Sequence, residues 1–320
     1  MLKIGNLKLK SHLILSPMAG VSDLPFRLIN RKFGCELAFV EMINARSISH
    51  KSKRTQLMLS SNAKDRPLGV QLLGKETDYI LRAIDVLKSY KFDLLDFNAA
   101  CPAKKVVRRQ EGAALLREPQ KLSKILKLIV KNSTFPVTAK IRIGWDKDSV
   151  NAKEIARLVE DAGVKALFVH GRTKVQGYSG AADYNAIRDV KKAIKIPVIA
   201  SGDAFSGGLI KKIFDETGCD AVAIARGALG NPWIFRQTEY FLKKGVEMEK
   251  PPAREIVKVM LEHFKMNIDF YGERNGVVIF RKFFSWYTRG MRNVKPLREK
   301  SSRIKSAAQM RQIIEEASGQ

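Results

Sequence analysis

Phe92-Asp93-Leu94-Leu95-Asp96-Phe97-Asn98-Ala99-Ala100-Cys101-Pro102 passes from an apolar run into a polar amide, two small residues, a thiol and a proline. The run Phe92 to Phe97 reads as a buried strand bounded by a turn. Pro102 cannot continue a strand ladder and disfavours a helical conformation at Cys101, so the thiol is expected on a strand-to-loop corner, aimed into a cleft. Lys104, Lys105, Arg108 and Arg109 follow within the next eight residues. A thiol at a strand end beside a basic loop suits chemistry on a polyanion. Taken locally, a lone cysteine is more often a small buried hydrophobe, so the rest of the chain has to decide.

Working outward, comparable short apolar runs recur: Leu13-Ile14-Leu15, Leu37-Ala38-Phe39-Val40, Leu68-Gly69-Val70-Gln71-Leu72, Val137-Thr138-Ala139-Lys140-Ile141, Ala166-Leu167-Phe168-Val169, Pro197-Val198-Ile199-Ala200 and Ala221-Val222-Ala223-Ile224. With Leu94–Phe97 these make eight. Between them lie amphipathic segments such as Lys121–Lys131 and Ala152–Ala162, with apolar residues at helical spacing. Strands alternating with helices imply parallel pairing. Eight such units in about 240 residues fit a TIM (β/α)8 barrel, with an open doubly wound sheet as the alternative. No GxGxxG follows the first run, so a dinucleotide-type start is not supported.

In a TIM barrel the chemistry sits at the C-terminal strand ends. There the chain carries Ser16-Pro17-Met18-Ala19-Gly20, Glu41-Met42, Gln71, Asn98 with Cys101, Lys140 with Arg142, His170-Gly171-Arg172-Thr173, Ser201-Gly202-Asp203 and Ala225-Arg226-Gly227. Period-two alternation puts Lys140 and Arg142 on one face of their strand, and His170 and Arg172 likewise. The glycine-containing turns after the seventh and eighth strands are where such barrels hold phosphate through backbone N–H groups. A structural ion network is the bland account of buried Lys, Arg and His. A polar residue at nearly every strand end favours a ligand site.

The 320 residues carry 58 Lys+Arg against 32 Asp+Glu, a net charge of +26, which points to nucleic acid or another polyanion as partner. After about residue 245 the pattern becomes helical, punctuated by Pro251-Pro252. The division expected is 1–245 barrel and 246–320 helical domain, the last helix running through Gln320. From Arg281 to Arg311 there are ten Lys/Arg and one acid, Glu299, with Phe283, Phe284, Trp286 and Tyr287 interleaved. Basic residues among aromatics suit RNA contact, although most of these aromatics are expected to form a helical core. The three cysteines form no CxxC pair and the four histidines are dispersed, so no metal site is expected. Sparse cysteines, no secretory apolar region and no run of roughly 18 apolar residues suit a cytoplasmic protein.

Seven stretches together resemble the flavin-dependent tRNA-dihydrouridine synthases, most closely the bacterial B-type branch. They are Ser-Pro-Met-Ala-Gly-Val-Ser-Asp-Leu-Pro-Phe-Arg (16–27), Val-Gln-Leu-Leu-Gly (70–74), Asn-Ala-Ala-Cys-Pro-Ala-Lys-Lys-Val (98–106), Ala-Lys-Ile-Arg-Ile-Gly-Trp (139–145), His-Gly-Arg-Thr (170–173), Ser-Gly-Asp (201–203) and Ala-Arg-Gly-Ala-Leu-Gly-Asn-Pro-Trp-Ile-Phe (225–235). The resemblance implies an FMN-containing TIM barrel with a C-terminal tRNA-binding helical domain, reducing the C5–C6 bond of a tRNA uridine with NADPH. It implies that Pro17, Met18 and Ala19 line the flavin ring, that Gln71 reaches the flavin, and that Lys140 faces its N1/O2 side. His170 would help hold the cofactor, and Ser201, Gly202, Asp203, Ala225 and Arg226 would hold its phosphate. Cys101 would protonate C5 after hydride reaches C6. Substrate contacts are expected from Asn98, Lys104, Lys105, Arg142, Arg172, Arg281, Lys282 and Arg289. Two positions depart from the usual family pattern: Ala100 replaces a glycine and Ser201 an asparagine.

The chemistry is consistent from below. No side chain delivers a hydride, so reducing a C=C bond needs a cofactor. A free thiol, with its pKa of about 8.5, is mostly protonated at neutral pH, as an acid should be. Nearby lysines and arginines aimed at it would weaken that role. Lys140 as a Schiff-base lysine, an FMN barrel acting on a small substrate, and an RNA-binding protein that has lost catalysis are the rival readings. The basic charge opposes the small substrate; Cys101 and Lys140 together oppose lost catalysis. Cys35 and Cys219 read as buried structural thiols. His50, Lys51, Lys53 and Arg54 suit a tRNA-facing loop or a plain solvated one equally. Oligomeric state is not legible; a monomer is the working expectation.

Overall fold

The run that contains Asp96 is a strand, Leu94–Ala99, buried along its whole length. The structure, a computed structural model, describes residues 1–50 and 52–319; Lys51 and Gln320 lie outside the described residues. Ten strands form. β1 (Leu2–Ile4) and β2 (Leu7–Leu9) pair antiparallel. β3 (Leu13–Leu15), β4 (Leu37–Asn44), β5 (Leu68–Leu73), β6 (Leu94–Ala99), β7 (Val137–Arg142), β8 (Ala166–His170), β9 (Val198–Ser201) and β10 (Ala221–Ile224) pair in parallel and in chain order. β10 returns to pair with β3, with Val222 opposite Leu13, so the sheet is a closed barrel rather than an open one. All eight apolar runs are barrel strands.

Period-two alternation sorts each strand into two environments. Leu95, Phe97, Ala139, Ile141, Leu167 and Val169 point outward into the layer shared with the helices. Inward, the lower barrel is filled by Ile14, Leu37, Phe39, Leu94, Phe168 and Ile199, and the β1–β2 hairpin packs Leu2, Ile4 and Leu9 against them. Phe39 and Phe168 meet edge to face at 5.7 Å. Gly69 is required opposite them, since a Cβ there would stand 2.2 Å from the Phe39 ring. The upper inner face carries polar residues instead, which leaves the mouth open for a ligand. β4 runs on to Asn44, beyond the expected end at Glu41-Met42, because its register with β5 shifts between Phe39 and Met42.

Helices follow the expected segments, for example Pro119–Asn132 with proline in its first turn and Ala152–Asp161. Lys53–Met58 is a short helix capped by Ser52. Beyond the barrel, helices span Ala253–Tyr271, Glu273–Tyr287, Lys295–Ser301 and Ala307–Glu316. Phe280, Phe283, Phe284 and Tyr287 are buried, and Trp286 is half-buried, as a helical core requires. This core is continuous with the barrel's outer layer. Phe26 of helix Leu24–Lys32 stacks on Phe283 at 5.7 Å, Tyr271 donates to Asp23 at 2.9 Å, and Trp233 donates to Glu255 at 2.8 Å.

An ion cluster centred on the buried Asp65 and Arg27 anchors the first helix. Asp65 accepts from Arg27 Nε and Nη2 (2.9 and 2.7 Å) and from Arg31 Nε (2.8 Å). Removing its carboxylate leaves two guanidinium groups facing each other without a counter-charge. Asp65→Ala should therefore cost about 3–5 kcal/mol in urea unfolding; a loss below about 1 kcal/mol, the range of an exposed pair, would refute this account.

Candidate active site

The C-terminal strand ends open into a cavity of about 800 Å³. Pro17, Met18 and Ala19 enter it after β3, Gln71 from β5, Asn98 and Cys101 from β6, Lys140 and Arg142 from β7, and His170 from β8. Ser201, Gly202 and Asp203 enter after β9, and Ala225 and Arg226 after β10. Lys104 and Lys105 stand on its rim. The structure thus brings together residues from all these strands, far apart in sequence.

Cys101 sits half-buried on the corner expected of it. Asn98 Oδ1 accepts from the amides of both Ala100 and Cys101 at 2.9 Å, which closes the corner. Burial pushes the thiol pKa up, and Arg142, Lys105 and Lys140 only partly oppose it. The thiol therefore remains an acid despite its basic neighbours. Ala100 is not among the residues with positive φ, so nothing in its backbone demands the glycine usual there.

Lys140 is half-buried, and its amine is lowered to about 8 by desolvation, with the Asp96 carboxylate opposing the shift. His170 is lowered to about 2 by burial and by the charges of Arg142, Lys140, Arg172 and Arg226, so it is neutral. Its Nδ1 lies 3.3 Å from Ser201 Oγ, while its buried Nε2 has no partner among the described residues. A buried polar atom without a partner in a cavity wall is a ligand contact in waiting.

The turn after β9 is a cradle. Gly202 has φ 128° and Asp203 φ 55°. A Cβ on Gly202 would meet Ala182 Cβ at 2.9 Å, and one on Gly227 would meet the Ala204 carbonyl at 2.1 Å. The amides of Asp203 and Ala204 have no acceptor among the described residues. Such a nest of N–H groups binds an anion, and Arg226, partly exposed, adds a guanidinium. The Asp203 carboxylate does not repel that anion, because Arg172 Nη2 at 2.8 Å and the Ala182 amide at 2.9 Å take it up.

The residues assigned to substrate divide. Asn98, Lys104, Lys105 and Arg142 line the cavity; Arg172, Arg281, Lys282 and Arg289 do not. Arg142 donates to the carbonyls of Ala100, Thr173 and Gly177, each at 2.8 Å, and so braces the wall. Arg172 is buried against Asp203, Arg281 donates to the Ile304 carbonyl, and Lys282 to that of Gly20. Their charge answers internal carbonyls, which a basic run in the sequence does not reveal. Arg289 is exposed on the helical region.

Tyr178 and Phe205, missed by sequence reasoning, stand at the lip, 60% and 42% exposed. Arg226 lies over both rings, at 5.0 and 5.3 Å. Tyr178 belongs to a loop between two glycines, where no periodicity marks it. Among the described residues there is no group of three or more His, Cys, Asp or Glu placed to hold a metal, and no helix long and apolar enough to cross a membrane.

A strand-end cavity with an acid, a desolvated amine and an anion nest is the arrangement of a (β/α)8 enzyme. The family model described as dihydrouridine synthase matches residues 14–319, and the chain belongs to that family. It is 40% identical over 295 residues to a probable tRNA-dihydrouridine synthase of Rickettsia conorii, covering 92% of this chain and 89% of that one. It is 37% identical over 318 residues to tRNA-dihydrouridine synthase B of Pseudomonas aeruginosa, covering 98% and 96%. Among solved structures, an old yellow enzyme homologue from Zymomonas mobilis aligns with TM-score 0.54 at 13% identity, over 78% of this chain and 93% of that one. A 6-hydroxypseudooxynicotine amine oxidase from Pseudomonas geniculata aligns with TM-score 0.60 at 14% identity, over 82% and 52%. These two similarities speak to the barrel fold alone.

Proposed function

We propose that the chain is an FMN-dependent tRNA-dihydrouridine synthase of the B type, reducing the C5–C6 bond of tRNA uridines in the cytoplasm with NADPH as electron source. The observation that carries this reading is the Cys101 thiol, kept protonated by burial and held over the same cavity as Lys140, His170 and the Gly202–Ala204 nest. The donor set fits FMN: two free amides and Arg226 for the phosphate, His170 Nε2 for a polar atom of the cofactor, Lys140 for the ring's N1/O2 edge, and Pro17, Met18, Ala19 and Gln71 against the ring. Bound FMN would supply the hydride that reaches C6. Cys101 gives its Sγ proton to C5, so hydride and proton together saturate the double bond. Lys104 and Lys105 on the rim meet RNA phosphates, and the exposed Arg289 contributes from the helical region, residues 246–320, which we assign to tRNA binding. The target uridine leaves its stack at a cost of a few kcal/mol, which phosphate contacts offset.

Visible spectroscopy of the purified protein tests this. A flavin band should bleach with NADPH and return anaerobically only when unmodified tRNA is added. Recovery with a free pyrimidine but not with tRNA would replace this reading with a small-substrate reductase, and failure to bind FMN would overturn it. If six phosphates are neutralised, tRNA affinity should fall about 10³-fold between roughly 50 and 200 mM salt; a flat salt profile would remove the basic surface from the account.

A further inference from the structure

At the cavity floor a chain of side-chain hydrogen bonds runs from Asp96, which lies behind it, through Gln71 and Asn98 to the corner that carries Cys101. Asp96 is buried, accepting from Thr138 Oγ1 and from Gln71 Nε2, both at 2.7 Å. Gln71 Oε1 accepts from Asn98 Nδ2 at 2.8 Å, and Asn98 Oδ1 accepts from the amides of Ala100 and Cys101.

The relay has a direction. An ionised carboxylate only accepts, so Gln71 must turn its NH2 toward Asp96. That leaves its carbonyl for Asn98, which must then turn its own NH2 away from Cys101 and its carbonyl toward the loop amides. Were the Gln71 amide reversed, Asn98 would face the Ala100 and Cys101 N–H groups with donors, and the corner would lose its cap. Gln71 and Asn98 can each be satisfied either way round; Asp96 is the member of the chain that cannot donate. Burial raises its pKa, with the Thr138 and Gln71 hydrogen bonds and the Lys140 charge opposing. It is the geometry, a donor at 2.7 Å on each carboxylate oxygen, that assigns Asp96 the acceptor role.

We infer that Asp96 is a positioning residue: it sets the polarity of the Gln71–Asn98 relay and thereby holds Cys101 on its corner. The consequence for catalysis rests on the reading of Cys101 as proton donor; the relay itself does not, and its test uses neither flavin nor tRNA.

Two substitutions in the full-length chain decide it. Asn98→Asp puts a carboxylate at each end of the Gln71 amide, so its carbonyl must face one of them. A carboxylate at position 98 still accepts from the Ala100 and Cys101 amides, but its other oxygen then faces the Gln71 carbonyl, and that repulsion favours local opening of the corner. Hydrogen exchange at the two amides should accelerate about tenfold or more through this opening, and so should iodoacetamide alkylation of Cys101, Cys35 and Cys219 being buried. Adding Asp96→Asn reverses the relay into a satisfied one. The amide introduced at position 96 can donate to the Gln71 carbonyl while still accepting from Thr138, and the Gln71 NH2 then donates to the carboxylate introduced at position 98. Both rates should return to within about twofold of the unsubstituted protein, a non-additive rescue that mere packing would not produce. Unchanged rates in Asn98→Asp, or no rescue in the double variant, would overturn the inference. If Asn98→Asp alone fails to fold, a folded and protected double variant supports it and an unfolded one overturns it.

Discussion

Cys101→Ala should lower dihydrouridine formation by about 10²- to 10⁴-fold, the contribution of a positioned general acid, in a protein that still folds and still turns yellow with FMN. The side chain is small, half-buried and on the cavity surface, so its loss opens little core. On the proposed function, what disappears is the proton for C5. Cys101→Ser should not recover the rate, because a hydroxyl is a far weaker acid than a thiol. The pH profile follows from the direction of the shift. Burial raises the thiol pKa, so the protonated, active form persists through neutral pH and is lost only as pH rises through that raised value. The rate should therefore decline on the alkaline side, and the Cys101→Ala protein should lack that decline. Tritium or mass-spectrometric counting of dihydrouridine per tRNA measures both. Near-normal turnover of Cys101→Ala would remove the proton-donor role.

Lys140→Met should weaken FMN binding by about 10- to 100-fold, the value of a hydrogen bond from a charged donor. The thioether conserves the length of the side chain while removing the charge. Burial lowers the amine to about 8, so it is charged below that pH and neutral above it. Affinity for an anionic ligand should then be greatest below about pH 8 and fall as pH rises through it, and this fall should vanish in Lys140→Met. Fluorescence titration with FMN across pH reads the difference; an affinity independent of the substitution would place Lys140 outside the cofactor contacts. The Met variant also leaves Asp96 without its opposing charge, so an accompanying loss of stability is expected.

How much of this was legible in the chain differs from residue to residue. The barrel was, because eight apolar runs at a regular spacing leave a parallel, closed arrangement as the economical way to bury them. The inner face was, because Lys140 and Arg142 lie two apart on one strand, and alternation is a local property. The partners of the charges were not. Arg142 meets the Ala100 carbonyl 42 residues away, and Arg172 meets Asp203 31 residues away. Nothing in a basic residue's own neighbourhood says whether it will find a phosphate or a carbonyl of its own fold. Tyr178 and Phe205 were invisible for a related reason: an aromatic in a loop carries no periodicity, and only the closed barrel puts both at one lip. Asp96 lies inside an apolar run that reads as a buried strand, and only the fold sets Gln71 and Asn98 in line with it.

The stacking of Phe26 on Phe283 and the single outer core have a practical corollary. The connection between helix Ile234–Lys244 and helix Ala253–Tyr271 is exposed at Val246 and docked at Glu247, whose carboxylate accepts from the Gly208 amide at 3.0 Å. A protease that cuts this strap would break the covalent chain without parting the halves. The nicked protein would migrate as two bands under denaturing conditions and as one particle otherwise, and it would melt once. The change of architecture near residue 245 is a border on the map of the chain, not a line along which the molecule comes apart.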